Sequence, residues 1–168
     1  MNEIDQSFQT KWTLWFHKVD DSDYSISSYK KLYEVNTIKD FCKMVNTIPS
    51  FTSGMFFFMK GDIEPLWENE DNITGGMWKF KLTKKSSNEI WKTTMASLCG
   101  NSLTNEPESM KYITGISISP KITNCIIKIW NNDNSITNAS DYIREQDGLD
   151  LKGVRYQKNM KPPSKKRR

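Results

Sequence analysis

Short segments in which apolar and polar residues alternate are the feature that most constrains the fold of this chain. In residues 77–82, Trp78, Phe80 and Leu82 share one face and two lysines lie between them. Strict alternation of this kind is typical of a half-buried β-strand. Comparable segments predict strands over residues 11–18, 29–35, 55–60, 77–82, 112–119, 125–130 and 153–157. Because most of the connections are short, we expect these strands to form an antiparallel sheet.

Three amphipathic segments interrupt the strands and predict helices. Thr37, followed three residues later by Asp40, begins the first in the manner of a capping box. Ser86 and Glu89 predict the start of the second in the same way, and the third runs from about residue 138 to 146. The pattern predicts an α+β fold with helices on one face of a single sheet. The other face is left free for a ligand.

Charge is distributed unevenly along the 168 residues, a length that suits one domain. Six of the 24 basic residues lie in the last eleven positions, which leaves 18 basic against 20 acidic residues in the rest. The body is therefore close to neutral and lacks the basic surface of a domain that grips a long duplex. We expect a flexible N-terminal arm over residues 1–10, a folded domain over 11–157 and a basic C-terminal tail over 158–168.

No segment has the length and composition of a membrane anchor. The longest apolar run, residues 55–59, has the length of a strand, whereas a spanning helix needs about 20 apolar residues. The polar first ten residues do not form a secretory signal. We expect a cytoplasmic monomer without membrane association. Residues 162–168 also match a nuclear localisation signal, which would add a nuclear location to the cytoplasmic one.

The chain lacks the groups of the common metal and nucleophile sites. Cys42, Cys99 and Cys125 have no CxxC spacing and lie among apolar neighbours, so we interpret them as buried free thiols. His17 is the only histidine, so zinc sites and serine–histidine or cysteine–histidine catalysis both lack parts. We expect a protein that is not an enzyme and that requires neither a metal nor a cofactor.

The segment 63–68 carries an unusual pair of side chains, Trp67 and Glu68, in an acidic polar loop. Trp78 and Trp91 lie on periodic faces, whereas Trp67 lies outside any strand or helix pattern that would bury it. Two interpretations of Trp67 stay open: it is a core side chain, or it faces a ligand.

Six ordered segments resemble the eukaryotic translation initiation factor 4E family of mRNA cap-binding proteins, over roughly residues 9 to 157. These segments are 11–16, 36–41, 62–70, 75–78, 127–130 and 154–157. The resemblance implies a single curved antiparallel sheet of about eight strands with three helices on its convex face. It also implies that the chain binds the 7-methylguanosine 5′ cap of mRNA in translation initiation.

Family members hold the methylated guanine in a slot on the concave face, and this chemistry has a physical basis. Methylation at N7 makes the base cationic, so an aromatic ring on each side gains both stacking and cation–π attraction. A glutamate accepts hydrogen bonds from the guanine N1–H and N2–H₂ groups, which selects guanine. Basic side chains bind the triphosphate.

The resemblance assigns roles to four positions. Trp67 resembles one stacking ring, and Glu68 resembles the guanine-reading carboxylate. Trp130 resembles the tryptophan that packs against the N7-methyl group, and Lys121 falls at a triphosphate-binding position.

The second stacking ring is displaced from its family position. Ungapped counting from Trp15 places it at Ser25, and an adjustment of one residue makes Tyr24 the ring. Tyr29, which lies nearer the strand, is an alternative candidate for this ring. A further alternative is that Tyr24 is only an exposed loop residue with no role in stacking.

Several basic cap contacts of the family are absent. The corresponding positions are Met77, Thr123 and Ile126. Lys128, on the strand face of Trp130, is the candidate to replace one charge, and the tail residues Lys158 and Lys161 are candidates for others. With fewer phosphate contacts, we expect weaker and less salt-sensitive cap binding, or a different requirement for the nucleotide next to the cap.

The convex surface also departs from the family pattern for binding a helix of the scaffold subunit 4G. Ile38 keeps an apolar anchor, but the tryptophan position on the first helix is Cys42, and the second helix carries Lys92 and Ala96. Because helix-in-groove binding needs apolar anchors, we expect either a specialised partner or a 4G-like scaffold that binds through a remodelled surface.

Two alternatives to an initiation factor follow from these departures. One is a repressor or decoy that keeps the cap-binding fold but does not recruit the usual scaffold. The other is metal-dependent cap hydrolysis by the carboxylates of the 63–76 loop, Glu64, Glu68, Glu70 and Asp71. Such carboxylates are expected on one helix face, which Pro65 and Gly75–Gly76 prevent here.

Overall fold

A computed structural model describes residues 3–159, which form seven strands and three α-helices. The strands are β1 (Ser7–His17), β2 (Lys30–Thr37), β3 (Met55–Lys60), β4 (Gly76–Thr83), β5 (Ile113–Pro120), β6 (Asn124–Asn131) and β7 (Arg155–Lys158). The helices are α1 (Ile38–Thr47), α2 (Lys84–Cys99) and α3 (Ala139–Tyr142). Short 3-10 helices lie at Glu3–Asp5, Ile26–Ser28 and Pro107–Tyr112.

All seven strands belong to one sheet in the order β2-β1-β3-β5-β6-β4-β7, and every neighbouring pair is antiparallel. The predicted α+β class with a single antiparallel sheet is confirmed. The described residues contain seven strands, one fewer than the family resemblance implied.

One side of the sheet, here called the helix face, carries the main hydrophobic core. Trp12, Phe58 and Trp78 from the strands pack there with Trp91 and other residues of α2. Helix α2 lies against β1, β4, β5 and β6. Residues of α1 and α3 join the same core, so all three helices cover this one side.

The opposite side, here called the open face, has a smaller apolar cluster to which none of the three described helices contributes. Its buried members are Trp15, Phe57, Met59, Met77 and Trp130. Side chains alternate along a strand, so these residues point away from the helices. The open face therefore has a mainly aromatic floor without a covering layer.

The capping box predicted for the first helix is present, whereas the one predicted for the second helix is not. The Thr37 hydroxyl accepts a hydrogen bond from the Asp40 amide at 3.1 Å, and the Asp40 carboxylate accepts one from the Thr37 amide at 2.9 Å, as predicted. Helix α2 begins earlier than predicted, because Thr83 acts as its N-cap and accepts from the Ser86 amide at 3.3 Å. The start predicted from Ser86 and Glu89 is therefore wrong.

The third helix is much shorter than the predicted 138–146, since α3 spans four residues. The chain after it is extended, and Ile143 bridges to Thr104. The Arg144 amide donates to the Leu103 carbonyl at 2.9 Å. These tertiary hydrogen bonds satisfy the backbone groups that a longer helix would have used.

The domain edges also differ from prediction. Strand β1 begins at Ser7, which pairs with Thr37, so residues 7–10 are part of the sheet and not of a flexible arm. Lys158 ends β7, while Lys161 lies outside the described residues.

Among the cysteines, Cys99 and Cys125 are buried as predicted, but Cys42 is exposed on the solvent side of α1. Within residues 3–159 no helix is long and apolar enough to cross a membrane.

Candidate functional site

A cavity of about 590 Å³, here called the slot, opens on the aromatic floor of the open face. Its lining includes the predicted site residues Tyr24, Trp67, Glu68, Lys128, Trp130 and Lys158. Lys121 does not line the slot and lies in a neighbouring cavity. Lys161 is outside the described part of the chain. Residues that are far apart in sequence thus converge on one site.

Trp130 forms part of the slot floor. Its ring packs edge-on against Phe57, with 6.2 Å between ring centroids and an interplanar angle of 75°. Its Nε1–H donates to the Ser117 hydroxyl at 3.0 Å. Because the indole N–H is already bonded, Trp130 offers an incoming ligand only its apolar ring surface.

Trp67 and Glu68 stand at the rim. Trp67 is 37% exposed, so the interpretation of this residue as a core side chain is wrong. Glu68 is exposed, and no hydrogen bond to its carboxylate occurs within residues 3–159. The pair presents an aromatic ring and an acceptor group side by side.

Asn72 fixes the loop that carries this pair, and sequence reasoning missed it. Its side chain is fully buried, and its amide nitrogen donates to the carbonyls of Glu64 at 3.2 Å and Leu66 at 2.8 Å. The two carbonyls lie just before Trp67. A buried amide thus joins the backbone on the N-terminal side of the rim residues to the later part of the loop.

The end of the same loop is tied to β6 and to the residue after β7. Asn159 donates to the Asn72 carbonyl at 2.8 Å, and the Asn131 side chain accepts from the Gly76 amide at 3.0 Å. A Cβ atom at Gly75 would lie 1.7 Å from the Asn131 carbonyl oxygen, so only glycine fits there. No local pattern could reveal these anchors, because Asn159 is 87 residues from Asn72.

Tyr24, which also lines the slot, rests on His17. The two rings are parallel within 7°, with centroids 4.8 Å apart. His17 is fully buried, and its Nε2 is 2.7 Å from the carbonyl oxygen of Asp23, the residue before Tyr24. The only histidine of the chain therefore supports the rim, a role that its position in the sequence did not suggest.

Tyr29 lies lower in the slot than Tyr24. Its ring packs edge-on against Phe57 at 5.4 Å and tilts against His17 at 4.6 Å. Burial is the main reason that the pKa of Tyr29 rises to about 12, and the electrostatic influence of Tyr24 and Glu68 adds to it. The phenol carries a hydrogen-bond donor that is available to a ligand in the slot.

A second cavity of about 750 Å³, here called the basic groove, adjoins the slot and shares Lys79 and Lys128 with it. Its other basic lining residues are Lys81, Lys121, Lys152 and Arg155. Burial is the main reason that the pKa of Lys128 falls to about 8, and repulsion from Lys79 and Lys121 adds to it. The predicted triphosphate residue Lys121 belongs to this groove.

The site can hold a planar ring against an aromatic floor, contact it from two aromatic rims, accept its N–H groups at Glu68 and attract an attached anion. Within residues 3–159 no three histidine, cysteine or acidic side chains lie close enough together to hold a metal ion. Such an arrangement suits a planar ring that carries an anionic tail.

The predicted partner surface lies on the other side of the sheet. Cys42 and Ala96 are exposed, and Lys92 forms an ion pair with Glu89 at 3.1 Å. Ile38 is half-buried and lines a small cavity with the C-terminal end of α2. The exposed positions thus offer a small thiol, a methyl group and a charge.

The chain matches one known protein family over most of its length. The family model described as Eukaryotic initiation factor 4E matches residues 7–167. The chain therefore belongs to the eukaryotic initiation factor 4E family, and the resemblance inferred from its sequence is confirmed.

Individual relatives place it as a divergent member. It is 27% identical over 163 residues to eukaryotic translation initiation factor 4E of Xenopus laevis, which covers 90% of this chain and 75% of that one. Initiation factor NCBP of Arabidopsis thaliana is 29% identical over 152 residues, which cover 84% of this chain and 63% of that one.

Solved structures share the fold. Ascaris suum eIF4E-3 in complex with an m7G cap superposes with a TM-score of 0.68 and 24% identity, over 77% of this chain and 75% of that one. Schistosome eIF4E with m7GpppG and 4E-BP gives a TM-score of 0.72 at 19% identity, over 80% and 76%.

Proposed function

We propose that this chain binds the 7-methylguanosine 5′ cap of mRNA in translation initiation and has no catalytic activity of its own. The observation that carries this proposal is the rim pair Trp67–Glu68, which lines one cavity together with Tyr24 and Trp130. Membership of the initiation factor 4E family supports it. So does the m7G cap bound by the Ascaris suum relative with the same fold.

The methylated base would be held between Trp67 and Tyr24. Stacking of a base on one aromatic ring contributes about 1–3 kcal/mol, and a desolvated cation–π contact contributes about 2 kcal/mol. Tyr24 is supported in advance by His17, so less ordering is needed on binding. Trp130, with its N–H already bonded, would contact the N7-methyl group through its ring.

Glu68 would read the guanine edge, because its carboxylate can accept from N1–H and N2–H₂ together. Hydrogen bonds to a charged acceptor are about twice as strong as neutral ones. Adenine presents no such pair of donors on that edge. Glu68 therefore accounts for selection of the base, and the aromatic rings account for selection of its methylated form.

The triphosphate would leave the slot at Lys128 and reach Lys121. Lys158 lines the slot directly and is a further contact. The tail residue Lys161 remains a candidate, although it lies outside the described residues. This set differs from the family pattern, because the lysines take the place of basic residues absent at Met77, Thr123 and Ile126.

The test is a fluorescence titration of the purified chain with 7-methyl-GTP and, in parallel, GTP and 7-methyl-ITP, which lacks the N2 amino group. We expect the methylated guanine nucleotide to bind at least tenfold more tightly than the other two. Glu68→Gln should reduce the preference for 7-methyl-GTP over 7-methyl-ITP, whereas Glu70→Gln, an exposed carboxylate in the same loop, should not. An unchanged base preference in Glu68→Gln would remove Glu68 from the site.

The surface of α1 and α2 favours a second candidate, a repressor or decoy that binds the cap without recruiting the usual 4G-like scaffold. Cys42 and Ala96 are exposed there, and Lys92 is held by Glu89, so few apolar anchors remain. A titration with a Tyr-x-x-x-x-Leu-hydrophobic helical peptide separates the two. Tight peptide binding supports the initiation factor, whereas cap binding without it supports the repressor.

A further inference from the structure

We infer that the basic groove beside the slot binds the phosphodiester backbone of the first RNA nucleotides after the cap. This inference rests on the proposed function, because it takes the cap to occupy the slot. It adds a second binding region, formed by Lys81, Lys152 and Arg155, that a free cap nucleotide does not need.

The strand register places three cations in a row across the sheet. Lys128 on β6 pairs with Lys79 on β4, and Lys79 pairs in turn with Arg155 on β7. Paired residues on neighbouring strands lie on the same face, about 4.5–5.5 Å apart at Cβ. Like charges at this separation destabilise a sheet. The row therefore costs stability in the unliganded protein.

Little in the groove compensates for this charge. Within residues 3–159 none of the basic lining residues of the groove forms an ion pair. Lys79 donates to the neutral side chain of Gln157. Asp150 is the one acidic residue among the described lining, and its carboxylate already accepts from the Lys152 amide at 2.9 Å. Unpaired cations gathered in a concave site favour an anionic ligand.

The position of the groove identifies the ligand as the same RNA whose cap occupies the slot. Lys79 and Lys128 line both cavities, so the two are continuous. A triphosphate leaving the slot meets these two lysines first. The groove, but not the slot, is also lined by Lys81, Lys152 and Arg155. Phosphates further along the RNA would therefore contact these three side chains.

A single RNA strand suits the groove better than a duplex. The cations line a cavity and not a broad convex surface. Apolar side chains of Ile126 and Val154 also line the groove and can contact sugars and bases. Single-strand sites combine a basic groove with apolar contacts in this way.

The experiment compares 7-methyl-GTP with a capped ten-nucleotide RNA on the full chain, across about 50–300 mM salt. We expect the capped RNA to bind at least tenfold more tightly at the lowest salt. The triple variant Lys81→Gln, Lys152→Gln, Arg155→Gln should lose this advantage but bind 7-methyl-GTP within twofold of the wild type. Its salt slope for RNA should be shallower by about 2, since each lost single-strand contact removes about 0.7.

A matched control replaces three exposed lysines on α1 and α2, Lys43→Gln, Lys84→Gln and Lys85→Gln, and so removes the same net charge. It should retain the RNA advantage. The unfolding temperature of the groove variant should equal or exceed that of the wild type, because a repulsive row is relieved.

Three results would overturn the inference while leaving cap binding intact. The first is equal affinity of the wild type for 7-methyl-GTP and the capped RNA. The second is an equal fall in affinity for both ligands in the groove variant, and the third is an equal fall in RNA affinity in the control variant. Failure of the wild type to bind 7-methyl-GTP would instead reject the proposed function, and the inference with it.

Discussion

The two faces of the sheet are built from the same strands but are covered differently. Phe57 and Phe58 are neighbours on β3, yet Phe58 packs under the helices and stacks on Trp12 at 5.5 Å, whereas Phe57 lies in the floor of the slot. The helix face is closed by α1, α2 and α3 and carries the main hydrophobic core. The open face combines aromatic rings with partly buried, unpaired lysines.

The comparison shows how one sheet separates stability from binding. Alternation sends every second residue to a face where apolar contacts stabilise the fold. The remaining residues need not contribute as much to stability, so they can keep features that are unfavourable without a ligand. Substitutions on the helix face should therefore change the free energy of unfolding, and those on the open face should change ligand affinity.

The largest expected effect contrasts the two phenylalanines. Phe58→Ala should lower the free energy of unfolding by about 3–5 kcal/mol, because it leaves a cavity in the closed core. Phe57→Ala should cost less, since the neighbouring space is already open to the slot, and should weaken 7-methyl-GTP binding. Urea denaturation and nucleotide titration measure the two effects. A greater stability loss in Phe57→Ala would contradict the division of roles.

Trp67→Ala gives the next largest effect, on affinity alone. Loss of one stacking and cation–π contact is worth about 3 kcal/mol, or about a hundredfold in affinity for 7-methyl-GTP. Because Trp67 is 37% exposed, the unfolding temperature should change little. Trp67→Phe should keep part of the affinity. If Trp67→Ala retained full affinity, the methylated base would have to stack elsewhere in the slot.

Asn72→Ala tests whether a buried anchor links the two properties. The substitution leaves the Glu64 carbonyl without its side-chain donor and removes one of the two donors to the Leu66 carbonyl, at a cost of about 2 kcal/mol in stability. Affinity for 7-methyl-GTP should fall about tenfold, because the rim loses its fixed path although Trp67 and Glu68 are intact. Asn69→Ala, in a more exposed turn of the same loop, should have a smaller effect in both measurements.

The smallest effect concerns pH and Lys128. Because burial lowers the pKa of folded Lys128 from 10.5 to about 8, the unfolded chain holds more protons between these values. Stability should therefore rise with pH across this window. Lys128→Gln should make the rise shallower, while Lys43→Gln on the exposed side of α1 should not. Denaturation at a series of pH values measures the slope, and equal slopes in wild type and Lys128→Gln would contradict the burial of this cation.

Much of the candidate site could be anticipated because its residues carry local signals. Trp67 and Glu68 are adjacent in a polar loop, and Lys128 is two residues from Trp130 on one strand face. The supporting residues carried no such signal. Asn72, Asn131 and Asn159 act through hydrogen bonds between distant segments, and asparagine in a loop is usually read as a turn residue. His17 likewise acquires its role only when the chain brings Tyr24 back over its ring.

The sequence by itself determined the alternating strands, the Thr37–Asp40 cap and the family to which the chain belongs. These features depend on residues a few positions apart, where periodicity and local hydrogen bonding are sufficient. Only the tertiary structure decided the strand order, the short third helix and the row formed by Lys128, Lys79 and Arg155. Those features depend on the register between strands, which is fixed when the whole sheet packs against its helices and cannot be read from any one segment.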